Sequence, residues 1–233
     1  MTLKNLSKLA RHRYERKFCF STLSRNDIEV IIKHHPIRFY EVYPQRFVNN
    51  IYLDTIGMDN YFDNVDGVSK RIKVRIRWYG DLMGAVEKPK LELKIKNNML
   101  GTKLSYKLNK LSIDKELSKS KINNIFEISD VPLYMLLYLK SLNLTLMNQY
   151  NRKYYRSIDG KYRITVDTNL GYYKLSQLNN TFLHSIVNKD EIIIELKYDK
   201  DYDEQAKKVT SHFPFRISKN SKYVEGVKRL RIC

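Results

Sequence analysis

Hydrophobic and polar residues alternate with a period of two along much of the chain, and most of the polar positions in these runs are charged. The clearest run is KRIKVRIRWYG (70–80), where Arg71, Lys73, Arg75 and Arg77 alternate with Ile72, Val74, Ile76 and Trp78. The same pattern predicts strands at RYERKFCFS (13–21), FVNNIYLDT (47–55), KLELKIKNN (90–98), GTKLSYKL (101–108), QYNRKYYRS (149–157), KYRITVDTNL (161–170) and EIIIELKYD (191–199). Asp159-Gly160, between two of these runs, is a hairpin turn signal.

Elsewhere the period is helical. Ser24 is placed to cap a helix carrying Ile28, Ile31 and Ile32 that ends before Pro36, with His34 and His35 at its end in surface or helix-dipole roles. MDNYFDNVDGVSK reads as a short helix or turn, and residues 79–90 read as a loop. From about 111 to 148 the spacing predicts two or three helices, the second so apolar that it must pack on the sheet. A helix is expected near DYDEQAKKVTSHF, and Trp78 is expected to serve packing. No repeat, low-complexity tract or linker interrupts the 233 residues, so residues 1–233 read as a single domain.

Charge changes the picture more than composition does. A hydrophobic fraction of 42% fits a folded protein, and the formal net charge of +18 predicts attraction to polyanions. The two cysteines, Cys19 and Cys233, form no CxxC pair, which argues against a disulfide framework or zinc site. No apolar run is long enough to span a bilayer, and the basic lead-in MTLKNLSKLARHRYERKF lacks a signal-peptide core, so a cytoplasmic location is expected.

Four like charges on one face of one strand repel, so folding alone gains little from them. An antiparallel sheet with a solvated outer face alternates in the same way. The cationic faces also carry isolated carboxylates at Glu15, Glu92, Asp167 and Glu195, a mixture suited to a phosphate chain with a divalent ion. If helices cover the apolar faces and the sheet closes, the charged faces line a lumen. Forked guanidinium groups hold phosphate oxygens in pairs while lysines add point charges. Phosphoryl transfer needs mainly positioning and charge neutralisation, so the absence of a Ser-His-Asp set does not count against it.

The ordered motifs YERKF, IYLDT, KVRIRWYG, LELKIKNN, GTKLSYKL, YNRKYY, YRITVDTNL, IIIELKY and SKYVEGVKRL resemble the VTC domain. This is the polyphosphate polymerase domain of the vacuolar transporter chaperone family, within the CYTH and triphosphate tunnel metalloenzyme group. The resemblance covers roughly residues 12–230. It implies an α+β fold, a closed antiparallel β-barrel with helices packed outside, that moves the γ-phosphate of ATP onto a growing polyphosphate chain with Mn²⁺ or Mg²⁺. Carried over by motif, Arg75, Arg77, Lys94, Arg152, Arg163 and Lys222 are the expected catalytic residues. Lys17, Lys103, Lys107, Lys197 and Ser221 are expected to bind substrate, together with Lys73 and Lys96 on the same cationic faces, and Glu195 to hold the metal. Arg13 stands where the broader tunnel group has the first glutamate of its signature, which favours the polymerase branch over a two-metal hydrolase. Two other readings stay open: an inorganic or nucleoside triphosphatase, and a non-catalytic module for polyphosphate or RNA. Nucleic acid is the least favoured partner, because the aromatics mostly share strands with the core pattern.

Overall fold

The computed structural model describes residues 13–97 and 100–233; the basic lead-in falls mainly outside them. The elements run β1 (Arg13–Phe20), α1 (Arg25–Lys33), β2 (Phe39–Asp54), α2 (Asp59–Val65), β3 (Lys70–Tyr79), β4 (Gly84–Val86), β5 (Lys90–Asn97), β6 (Leu100–Lys107) and β7 (Leu111–Ile113). They continue with α3 (Lys119–Glu127), α4 (Leu133–Ser141), β8 (Asn143–Ser157), β9 (Arg163–Lys174), β10 (Ser185–Asn188), β11 (Ile192–Asp199), a 3-10 turn, α5 (Asp203–Ser211) and α6 (Lys222–Arg229). Among the described residues the main sheet has the order β1-β11-β9-β8-β2-β3-β5-β6, with β10 beside β9, and β4 pairs with β7 in a separate ribbon. The fold is therefore α+β with antiparallel pairing throughout the recorded ladders.

The expected closed barrel is not what the sheet forms. Its strand path is open, ending at β1 and β6, and no sheet closes on itself among the described residues. Alternation fixes which face a side chain takes, whereas closure depends on backbone pairing between edge strands, which side-chain pattern does not encode.

The chain forms two compact units. One comprises Met1–Arg46, Tyr150–Leu170 and Asn188–Asn220. Its core joins Phe18 of β1, Ile164 and Val166 of β9, and Ile192, Ile194 and Leu196 of β11 to Ile28 and Ile32 of α1 and Ala206 and Val209 of α5. Ser24 caps α1 with a reciprocal capping box to Asp27, as its position predicts. Arg16 projects toward this apolar side yet stays satisfied: its guanidinium donates to the Tyr198 hydroxyl at 2.8 Å, the Thr210 hydroxyl at 2.7 Å and Asp203 at 3.2 Å. His35 corrects the surface expectation. It is buried, with Nε2 at 2.9 Å from the Val209 carbonyl and Nδ1 accepting from the Ile37 N–H, among Phe39, Phe213 and His212.

The other unit comprises Phe47–Gln149, Gly171–Val187 and Ser221–Cys233. The apolar faces of β3 and β5, through Val74, Ile76, Trp78, Leu91 and Leu93, pack with Ile122 and Phe126 of α3 and Met135 and Leu139 of α4. Trp78 is buried, as expected, and donates Nε1–H to the Asp81 carbonyl at 2.9 Å. The expected helices in 111–148 form as α3 and α4, and α4 packs on the sheet through Met135 and Leu139, but both ends of the segment differ. Leu111–Ile113 and residues 143–148 are strand, because a run such as NLTLM is apolar enough to satisfy either period and pairing decides it. One side of α4 stays open: Leu133 and Leu137 are 80% and 78% exposed. No helix among the described residues is long and apolar enough to cross a membrane.

Helix α6 is held close to the sheet by Gly226. A Cβ there would lie 2.5 Å from Leu146 Cδ2 and 2.6 Å from Tyr172 Cδ1, both on buried side chains. Tyr223 of α6 also donates its hydroxyl to Asp54, which ties down the turn from β2 into α2 by accepting backbone N–H bonds from Thr55, Asn60 and Tyr61 at 2.8–2.9 Å. Gly226→Val is expected to destabilise the protein by about 2 kcal/mol through overpacking. The measurement is the chemical-denaturation midpoint against wild type, with an unchanged midpoint counting against close packing of α6.

Candidate functional site

In the second unit, the ladders β2-β3, β3-β5 and β5-β6 set polar side chains in rows across the sheet. Lys73 lies opposite Lys94 and Lys94 opposite Lys103; Arg75 opposite Glu92 and Glu92 opposite Ser105; Arg77 opposite Lys90 and Lys90 opposite Lys107. Lys73, Lys94, Lys103, Arg75, Arg77, Lys90 and Lys107 thus share a face with one carboxylate, Glu92. Lys96 lies one pleat further along β5, opposite Arg71. The alternate residues of the same strands form the core, so burying them forces the cations onto one side.

Glu92 is 4% exposed and organises its neighbours. Arg75 donates to its Oε2 through Nε at 2.9 Å and Nη2 at 2.7 Å, Arg77 Nη1 lies 3.6 Å from the same oxygen, and Lys103 Nζ engages Oε1. Burial opposes its charge, but Arg75 and Arg77, with Lys103, hold the carboxyl well below the ordinary glutamate range. Burial also lowers the Lys103 pKa, with help from Arg75 and Arg77, against the pull of Glu92. Arg77 is steadied on its other side by Asn50, which accepts from Nε at 2.8 Å and itself donates to Asn148 at 2.8 Å. Ser221 and Lys222 also belong to this unit: Ser221 caps α6 and accepts from Lys73 Nζ at 2.9 Å, while Lys222, the first residue of α6, is buried.

The first unit carries a second cluster on the polar faces of β1, β11, β9 and β8. Lys17 pairs in register with Glu195 and Glu195 with Thr165; Glu15 pairs with Lys197 and Lys197 with Arg163. The Glu195 carboxylate is nearly buried between cations. Lys17 Nζ is 3.2 Å from Oε1, while Lys197 donates to Oε2 at 2.6 Å and Arg152 at 3.4 Å. Lys17 also reaches Glu15 at 3.0 Å and the Asn220 carbonyl at 3.0 Å. Arg152 makes a forked pair with buried Asp167, 2.5 Å from Nε and 2.6 Å from Nη2. Burial works against the charge on Lys17, but Glu195 and Glu15 outweigh it and raise its pKa. Arg152 follows the same logic, with Asp167 as the main stabiliser.

The structure therefore brings Arg75, Arg77, Lys73, Lys94, Lys103 and Lys107 together in one unit, with Ser221 on Lys73, and Lys17, Arg152, Arg163, Lys197 and Glu195 together in the other. Sequence reasoning missed Asn50, Asn148 and Asp54. Asn50 and Asn148 are polar residues at buried positions of otherwise apolar strands, a signal present in the sequence.

For a metal, Glu195 and Glu15 are the carboxylates that converge, since both contact Lys17. Among the described residues no group of three or more His, Cys, Asp or Glu side chains forms a cage. One or two carboxylates suit a Mg²⁺-like ion that takes its remaining ligands from phosphate and water, so the residues fit such an ion.

Glu92→Gln leaves Arg75, Arg77 and Lys103 around a neutral amide and is expected to cost about 3 kcal/mol. Its folded pKa lies below the ordinary 4.5, so its stabilisation is complete above that pH and is lost as pH falls toward the folded value. Unfolding midpoints between pH 7 and pH 3 should fall less steeply in Glu92→Gln, and parallel profiles would count against this linkage.

Comparison with curated proteins finds no match. Among solved structures, a proposed adenylate cyclase from Bacillus halodurans is similar at 12% identity and TM-score 0.54, covering 94% of this chain and 97% of that one. A proposed adenylate cyclase from Vibrio parahaemolyticus is similar at 10% identity and TM-score 0.54, covering 94% and 99%. At these identities the likeness is one of fold. The VTC domain family model matches residues 12–231. With nearly its whole length matched by that model, the chain belongs to the VTC domain family.

Proposed function

We propose that the chain is a polyphosphate polymerase that transfers the γ-phosphate of ATP to a growing polyphosphate chain with Mn²⁺ or Mg²⁺. One observation carries this reading: among the described residues nine cations, Arg71 and Lys96 included, share the polar face of β3, β5 and β6 with the single carboxylate Glu92. Directly opposed like charges such as Lys73, Lys94 and Lys103 cost the free protein stability, and a multiply charged anion offsets that cost. VTC family membership and neighbours named as adenylate cyclases both accord with a phosphate-rich nucleotide as ligand.

In this reading Arg75 and Arg77 hold phosphate oxygens, with Glu92 and Asn50 fixing their guanidinium planes. Lys73, Lys94, Lys96, Lys103 and Lys107 add point charges along the chain of phosphates, and Ser221 and Lys222 contribute from the start of α6. In the other unit Arg152, Arg163, Lys17 and Lys197 supply cations around Glu195. A terminal phosphate oxygen of the acceptor attacks the γ-phosphorus in line; the new P–O bond forms as the β–γ bridging bond breaks, and ADP leaves with the bridging oxygen. The cationic side chains offset the charge that gathers on the transferred group and on ADP. A divalent ion, when bound with Glu195 and Glu15, supplies further neutralisation of phosphate oxygens.

Purified protein with ATP and Mn²⁺ is expected to give a ladder of acid-labile phosphate on gels. Arg75→Ala should reduce its yield about 100-fold while keeping a cooperative thermal transition. Orthophosphate as the sole product would replace this reading with that of a triphosphatase, and an unaffected Arg75→Ala variant would remove the β3 face from the site.

A further inference from the structure

Beside the Arg152 cluster, on the same unit, an exposed tyrosine and arginine meet a half-buried tyrosine in a set that the phosphate reading does not use. Arg46 of β2 sits over the ring of Tyr154 at 4.7 Å and over that of Tyr43 at 5.5 Å, and its Nε donates to the Tyr154 hydroxyl at 3.2 Å. Tyr43 and Tyr154 meet edge to face at 5.7 Å. Tyr43 is 54% exposed, and Arg46 is exposed as well. The Tyr154 ring also lies 6.0 Å from the guanidinium carbon of Arg152, which stands 5.1 Å from the Tyr150 ring. One tyrosine thus touches both the surface arginine and the arginine of the anion cluster.

Period explains the adjacency. Tyr150, Arg152 and Tyr154 are alternate residues of β8 and so project from the same face of the strand. Packing does not explain the platform: Tyr43 and Arg46 contribute to neither hydrophobic core. Flat faces that are polarisable, solvent-accessible and adjacent to a phosphate-binding arginine suit an aromatic heterocycle attached to phosphates. Aromatic rings and guanidinium planes stack on any base, because every base has a π-face.

We propose that Tyr43, Arg46 and Tyr154 form a stacking platform for the base of a nucleoside triphosphate whose phosphates are held at the Arg152 cluster. The assignment rests on the phosphate-binding reading of that cluster and adds where and how the donor's base is held: on a stacked surface with little preference between purines. Base-edge recognition is not part of it, since stacking reads the face of a base rather than its hydrogen-bonding pattern.

The test compares ATP, GTP and inorganic tripolyphosphate by calorimetric titration against wild type, Tyr43→Ala, Arg46→Ala and Arg46→Lys. Wild type should bind ATP and GTP with similar affinity and about tenfold more tightly than tripolyphosphate, a factor within the range of one stacked base. Tyr43→Ala and Arg46→Ala should remove most of that advantage and leave tripolyphosphate affinity within about twofold. Arg46→Lys keeps the charge and loses the planar fork, so it should behave like Arg46→Ala; recovery to wild-type ATP affinity would show that charge rather than stacking acts there. A triphosphate of 2-aminopurine riboside should lose fluorescence on binding wild type and regain it with Tyr43→Ala. Equal affinity for ATP and tripolyphosphate, unchanged in the variants, would overturn the platform while leaving the phosphate site standing. Failure of both ligands to bind wild type would overturn the phosphate reading itself, and much tighter binding of an oligonucleotide than of ATP would replace the nucleotide with a single strand.

Discussion

A carboxylate withdrawn from water among several cations is the interaction on which the rest of each unit's polar face depends. Glu92 does this for Arg75, Arg77 and Lys103, and Glu195 does it for Lys17, Lys197 and Arg152. In each case the acid sits on a strand whose alternate residues are locked in a hydrophobic core, so it cannot move away to be solvated. The cations are drawn to it and held in fixed directions. A buried pair of this kind contributes little net stability, because desolvating its charges offsets their attraction. Its value here is positional: guanidinium planes that would otherwise sample many rotamers in water are aimed before any ligand arrives.

Much of this was legible from alternation. The cationic face of β3, the Ser24 cap, the Asp159-Gly160 turn and the burial of Trp78 follow from period and turn chemistry alone. What was not legible has a common cause, which is that partner strands decide it. The strand β2 begins at Phe39 rather than near residue 47 and includes Pro44, a residue that local pattern excludes from strand interiors. The start of β8 lies within a stretch whose apolar residues fit a helix equally well. Sheet closure belongs to the same group, since it concerns edge backbones that carry no sequence mark.

The site residues divide along the same line. Their types and strand faces could be read from the sequence, whereas their bonding depends on register. Glu92 faces Arg75 directly and engages Arg77 and Lys103 from adjacent rows, a set that one step of slippage would dissolve. Asp167 similarly reaches Arg152 from β9, and nothing in VDT or YNR indicates that the two form a forked pair. His35 reads as a surface residue because a helix end looks exposed in sequence, while α5 and the Phe213 segment fold over it.

The uncovered side of α4 bears on how copies of this protein behave in solution. Leu133 and Leu137 are one helical turn apart and both open to water, on a chain whose formal charge is +18. At low ionic strength that charge makes approaching copies repel, but the field shrinks to about 10 Å in 0.1 M salt. A multivalent anion held on the cationic strand faces neutralises that charge more completely than simple salt does, which strengthens the relative pull of those leucines between copies.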